Sequence, residues 1–162
     1  MTVPCARFTA AAEIPQWISE TGTRTIIVDV EPLIAFWDTG PSALQAGVAG
    51  FLDQVTAATT VRHILFATNS ARNLPALPVV PGTGVGYLTS ARKPVRTAPY
   101  RDLPRPGMVI GDQVATDGAL AWRLGCFFLH YCPDLPGIPL GPRLMRALGR
   151  PMQQFLFRTA GL

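Results

Sequence analysis

Thr25-Ile26-Ile27-Val28-Asp29-Val30-Glu31 decides the fold. Ile26, Ile27 and Val28 follow one another without the polar alternation of a half-buried strand. A continuous β-branched run of this kind suits a strand covered on both faces, as in a parallel sheet. It then runs into two carboxylates. The layout recurs downstream. Ile64-Leu65-Phe66-Ala67 runs into Thr68-Asn69-Ser70, and Met108-Val109-Ile110 into Gly111-Asp112-Gln113, with Asp117 following. Between the first two runs, Leu44, Val48, Phe51, Leu52 and Val55 recur near the 3.6-residue period of a helix, predicted from Pro41 to about Ala58. Strands alternating with helices predict an α/β domain with a parallel sheet.

The rest of the chain fits that frame. Glu13–Glu20 is predicted as a short helix, with Pro15 in its first turn and Gly22 after it. Strands are predicted over Arg24–Asp29, Val61–Ala67, Gly84–Thr89, Gly107–Ile110 and Cys126–Tyr131, about five in all. Gln113–Leu124 reads as a helix stopped by Gly125. Gly141–Phe157 reads as helical and broken near Gly149 and Pro151. Asn73–Pro81 is a Pro-rich loop, and Thr97–Pro106 a loop or broken helix. The organisation expected is a leader and short helix over 1–22, a core over 23–135 and a basic amphipathic segment over 136–162. In that last segment Leu144, Met145, Leu148, Met152 and Phe155 are placed on one helical face and Arg143, Arg146 and Arg150 on the opposite one.

The bulk numbers narrow the class. A chain of 162 residues is one domain by length and can bury roughly 70% of its unfolded surface. Charged residues make up 15%, against about 25% in an average domain. The net charge of +4 is modest, and no nucleic-acid partner is expected. Three cysteines, Cys5, Cys126 and Cys132, give no paired framework and point to a reducing compartment. Cys126, His130 and Cys132 lack a standard zinc spacing. The first twenty residues do not have the layout of a signal peptide. No apolar run reaches the roughly eighteen residues of a membrane span.

Charge is distributed unevenly. Asp29, Glu31, Asp112 and Asp117 are four of the ten acids, and none of the acids follows Asp134. Lys93, in Ala91-Arg92-Lys93-Pro94, is the one lysine among fourteen basic residues. In a chain that otherwise uses arginine, a single ammonium marks a place where a compact point charge is needed. Carboxylate, hydroxyl, lysine and further carboxylates at successive strand ends is the layout of a phosphoryl-transfer site. Ligands in such sheets bind beyond the carboxyl ends of the strands.

On these motifs the chain resembles the haloacid dehalogenase (HAD) superfamily of phosphatases. Within it, the chain is similar to the small capless branch that includes phosphatidylglycerophosphate phosphatases. Ile26-Ile27-Val28-Asp29-Val30-Glu31-Pro32-Leu33 stands for the family's Asp-x-Asp-x-Thr motif, and Trp37 for a tryptophan common in the branch. Thr68-Asn69 stands for the second motif, Lys93-Pro94 for the third, and Gly111-Asp112-Gln113 with Thr116-Asp117 for the fourth. The match covers residues 24–132. It implies a three-layer HAD-type Rossmannoid with no cap domain, acting as a Mg²⁺-dependent phosphomonoester hydrolase. Asp29 would be the nucleophile, giving an aspartyl-phosphate. Glu31 would be the acid/base, with Thr68 and Lys93 completing the catalytic set. Thr68, Asn69 and Lys93 would bind the phosphate. Asp29, Asp112 and the main-chain carbonyl of Glu31 would hold Mg²⁺, with Asp117 in the outer shell.

Three departures qualify these roles. The second acid is Glu31 where the family has Asp, Pro32 intervenes, and the motif's Thr is Leu33. They leave open a slow phosphatase and a catalytically impaired binding module on the same fold. The intervals from Asp29 to Thr68 and from Thr68 to Lys93 have no room for a cap. An open site suits a large substrate, and the resemblance extends this to a phospholipid head group. With the basic tail it implies a cytoplasmic protein whose residues 141–158 leave three roles open: a helix packed on the sheet, contact with the anionic inner face of a membrane, or a protein interface.

Overall fold

A computed structural model describes residues 2–56, 60–134 and 138–160. The chain forms an α/β domain of the Rossmann-like kind, built on one open sheet. Its strands are β1 (Val3–Phe8), β2 (Thr25–Val28), β3 (His63–Ala67), β4 (Gly84–Leu88), β5 (Gly107–Gly111), β6 (Phe127–Tyr131) and β7 (Phe157–Thr159). They lie in the order β4-β3-β2-β5-β6-β1-β7, and every pairing is parallel. The helices are α1 (Ile14–Thr21), α2 (Pro41–Thr56), α3 (Ala119–Leu124) and α4 (Leu140–Leu156).

The sheet separates two apolar layers. On one face Ile26 and Val28 of β2, Ile64 and Phe66 of β3, and Ile110 of β5 pack against α1 (Ile14, Trp17, Ile18) and α2 (Leu44, Val48, Phe51, Leu52, Val55). On the other, Ile27, Val109 and Phe128 pack against Leu120 and Ala121 of α3 and Met152 and Leu156 of α4. The five residues of α2 are all buried, and burying each contributes about 1.5–3 kcal/mol. Strand β2 is buried at all its positions, as its unalternating sequence requires.

Seven strands form the sheet where about five were expected. The additional two come from the chain's ends. Val3–Phe8, read as an extended leader, is β1, paired with β6 through Ala6↔Leu129 and with β7 through Val3↔Phe157. The helical segment ends at Leu156 and its next three residues form β7. Helix α4 also runs unbroken through Gly149 and Pro151. The predicted end of α2 at Ala58 and the predicted core boundary at 135/136 lie outside the described residues. Among the described residues, no helix is long and apolar enough to cross a membrane.

Candidate active site

Strand β2 leads through α2 to β3 on one side, while β5 leads through α3 to β6 on the other. The chain thus diverges at the carboxyl ends of two paired strands, and a crevice opens there. Asp29 follows β2, anchored by its N–H, which donates to the Ile110 carbonyl at 2.8 Å. Asp112 follows β5. A cavity of about 130 Å³ lies between the loops, lined by residues that include Asp29, Glu31, Trp37, Thr68, Asn69 and Gln113.

Lys93 is the buried centre of the cluster. Its Nζ donates to Asp29 Oδ1 and to Asp117 Oδ1, both at 2.7 Å, with its side chain 2% exposed. Burial opposes the ammonium charge, but Asp117 and Asp29 outweigh it and hold the Lys93 pKa above its ordinary value. Burial pushes the Asp29 carboxyl up, and the neighbouring Asp117 carboxylate adds to this, while Lys93 opposes it.

The Lys93 backbone is clamped from β3. Asn69 Oδ1 accepts from Lys93 N at 2.7 Å, and Asn69 Nδ2 donates to the Lys93 carbonyl at 3.2 Å. Ser90 N donates to the Ser70 carbonyl and Ala91 N to that of Thr68, both at 2.9 Å. These bonds hold Ser90 (φ 49°) and Arg92 (φ 54°) in the left-handed region, at a cost of order 1–3 kcal/mol each. Asn69 therefore positions Lys93; its side-chain amide, expected on phosphate, is engaged with that backbone.

Asp117 arrives by a π-helical turn, Val114–Gly118, in which its N–H donates to the Gln113 carbonyl at 2.9 Å. Turns of this type inside helices recur at functional sites. Gly111 makes the fold-back feasible, since a Cβ there would meet Asp117 Cγ at 2.4 Å. Asp117 is fully buried. Asp29, Asp112 and Asp117 each bring a carboxylate oxygen within 4.8 Å of the others. Asp117, expected in the outer shell, belongs to the same cluster as the other two acids. Among the described residues this is the one His/Cys/Asp/Glu cluster that could hold a metal. Cys126 instead accepts from Arg105 Nη1, and His130 Nε2 lies 3.2 Å from the Asp112 carbonyl.

Asp112 is 2% exposed. Its Oδ2 accepts from Arg146 Nε at 2.9 Å and lies 2.8 Å from Nη2, while its Oδ1 is buried with no hydrogen-bond partner among the described residues. Burial, then the Asp117 charge, push its carboxyl up to about 6, although Arg146 opposes this. Arg146 arrives because α4 lies close to the π turn: a Cβ at Gly149 would meet Val114 Cβ at 2.8 Å. Helical periodicity puts Arg146 with Arg143 and Arg150 opposite the apolar face. In the fold it turns inward, while Leu144, Leu148 and Phe155 are 60%, 55% and 70% exposed.

Glu31 has a different setting. Thr68 Oγ1 donates to its Oε2 at 2.7 Å, and Ser70 Oγ and Arg72 Nη1 donate to its Oε1 at 3.3 and 3.2 Å. Arg72 also donates to the Phe36 and Thr39 carbonyls, tying down the loop that carries Trp37. The sequence marks Ser70 only as part of Thr68-Asn69-Ser70 and gives Arg72 and Arg146 no place in the site. The tail's lack of acids was the one available signal, and only for Arg146.

An all-oxygen set with a bare, buried Asp112 Oδ1 fits a hard divalent cation. Three carboxylates against Lys93 and Arg146 leave one net negative charge, which such a cation would reverse. No family model, curated protein or solved structure matches this chain.

Proposed function

We propose that the cleft hydrolyses a phosphomonoester, as a capless HAD-type phosphatase with Asp29 as nucleophile. The observation that carries this reading is Lys93, buried between Asp29 and Asp117 at 2.7 Å from each, in a carboxylate cluster that Asp112 completes. So large an investment of charge in a dry site is expensive unless a ligand uses it.

Mg²⁺, held by Asp29, Asp112 and the Glu31 carbonyl with Asp117 behind them, would supply positive charge to the phosphoryl oxygens. Asp29 Oδ2, which takes part in no hydrogen bond among the described residues, attacks phosphorus. The ester P–O bond breaks, and the leaving oxygen takes a proton from Glu31. Glu31 then accepts a proton from water, which attacks the aspartyl-phosphate, releases orthophosphate and restores Asp29. Lys93 holds the nucleophile in place and offsets the charge that gathers there. Thr68 holds the Glu31 carboxyl at the cleft wall.

The test is phosphate release from a panel of phosphomonoesters with and without Mg²⁺. Metal-dependent turnover supports the reading, and no turnover on any ester counts against it. A second reading has its own observation. The hydrogen bonds of Thr68, Ser70 and Arg72 to Glu31 also suit a fixed structural acid in a phosphate-binding module without turnover.

The exposed stripe Leu140, Leu144, Leu148 and Phe155 on α4, beside exposed Arg143, supports contact with an anionic lipid surface. A cytoplasmic enzyme acting on a phospholipid head group at the membrane's inner face joins both features.

A further inference from the structure

The sheet diverges a second time. Strand β1 leads to α1 on one face, while its neighbour β6 leads to α4 on the other. By the rule that places the catalytic cleft, a crevice should open beyond these strand ends as well. It is a cavity of about 270 Å³, twice the volume of the cleft. Arg7 of β1, His130 and Tyr131 of β6, and Arg146, Arg150 and Gln153 of α4 line it.

The lining is strongly cationic. Three arginines face one acid, Asp112, leaving two net positive charges. Arg146 is taken up by Asp112. Arg7 is oriented by Gln153, whose Oε1 accepts from its Nη2 at 2.9 Å. The Arg150 side chain makes no hydrogen bond or ion pair among the described residues. His130 Nδ1 is buried and unpartnered. Its Nε2 faces the Asp112 carbonyl, which can only accept, so Nε2 carries the proton and Nδ1 is an acceptor. Arg7 and the unpaired Arg150 supply two guanidinium groups that match an anion.

We propose that this crevice is a second anion site, which takes a phosphate group. Asp112 and Val114 form its wall toward the cleft, and Gln113 and Thr116 of the same turn line the cleft side. The two sites are back to back across one loop. A substrate with a second phosphate near the scissile one can therefore reach both. This role rests on the phosphatase reading, whereas phosphate binding in the crevice does not.

The experiment is an amide chemical-shift titration of the protein with inorganic phosphate, with sodium chloride at matched ionic strength as control. Phosphate should move the signals of Arg7, Tyr131, Cys132 and Arg150 as a set separate from Thr68 and Asn69. Arg150→Ala, on an exposed helical position, should weaken the crevice set about tenfold or more and leave the Thr68 set in place. Arg7→Gln should do the same. Shifts reproduced by chloride, absent from the crevice, or unchanged by Arg150→Ala overturn the site. Crevice binding without turnover of any ester refutes the phosphatase and keeps the site; turnover without crevice binding does the reverse.

Discussion

Glu31 and Asp112 are both buried acids in the loops that follow the central strands, and the protein treats them in opposite ways. Both oxygens of Glu31 accept hydrogen bonds, from Thr68, Ser70 and Arg72. Asp112 has its two arginine contacts on the same oxygen and leaves the other buried and bare. Buried polar atoms are nearly always satisfied. An acid with both oxygens satisfied is complete within the fold, whereas an acid with one bare oxygen calls for a ligand. The proposed cation and acid/base roles divide along this line, the cation on the β5 side and the proton transfer on the β2–β3 side.

The largest effect should fall between these two sides. Asp29→Asn keeps the shape of the nucleophile and removes its charge. Turnover should drop about 10⁴-fold or more, with the folded state intact by circular dichroism. A variant that hydrolyses esters at the parent rate would remove Asp29 from the chemistry.

Glu31→Gln sharpens the comparison next. Its amide oxygen can still accept from Thr68, but it cannot carry a proton to the leaving group. If Glu31 is the acid/base, the rate should fall about 10²–10⁴-fold. If the three donors make it purely structural, the rate should barely move while thermal stability falls. Glu31→Asp removes one methylene, and a gain in rate would show that this methylene holds the parent back.

A third test turns on Asp112 and has two signs. Without metal, burial has raised its carboxyl to about 6, above the unfolded value near 3.9. The folded state then binds more protons between about 4 and 6, so Asp112 makes metal-free stability rise as pH falls through that window. A ligating carboxylate must be deprotonated, so Mg²⁺ affinity should fall over the same window. Thermal melts with and without Mg²⁺ should therefore diverge as pH rises through about 6. Parallel curves would place the metal elsewhere, and Asp112→Asn should remove the divergence.

The smallest effect concerns α4. If its outward stripe meets lipid, Leu144→Glu with Leu148→Glu should weaken binding to anionic vesicles, measured by co-sedimentation, without lowering the melting temperature by more than a few degrees. Vesicle binding that is unaffected, or absent in the parent at low salt, would leave the stripe without this role.

Sequence legibility follows the same divide. The central strands β2, β3 and β5 could be read because each carries a short apolar run followed by a polar group, with β2 and β5 buried at every position and β3 at most of its positions. Lys93 stood out because no other residue of the chain is a lysine. The edge was not legible. Strand β1 holds Pro4 and Arg7, and β7 has three residues; their place in the sheet comes from pairing with distant strands. Arg146 was assigned outward because periodicity fixes which residues share a face, not which face docks. That choice was set by close approach at Gly149 and by the charge on Asp112.

The central claim is that these strand ends form one phosphoryl-transfer site with Asp29 as nucleophile. The most direct measurement incubates the protein with a phosphomonoester and Mg²⁺, quenches it, reduces it with borohydride and maps the peptides. Borohydride converts an aspartyl-phosphate to the corresponding alcohol. The account predicts that mark at position 29 alone, and only when substrate and metal are both present. Turnover with no mark at Asp29, or with the mark on another acid, would contradict it.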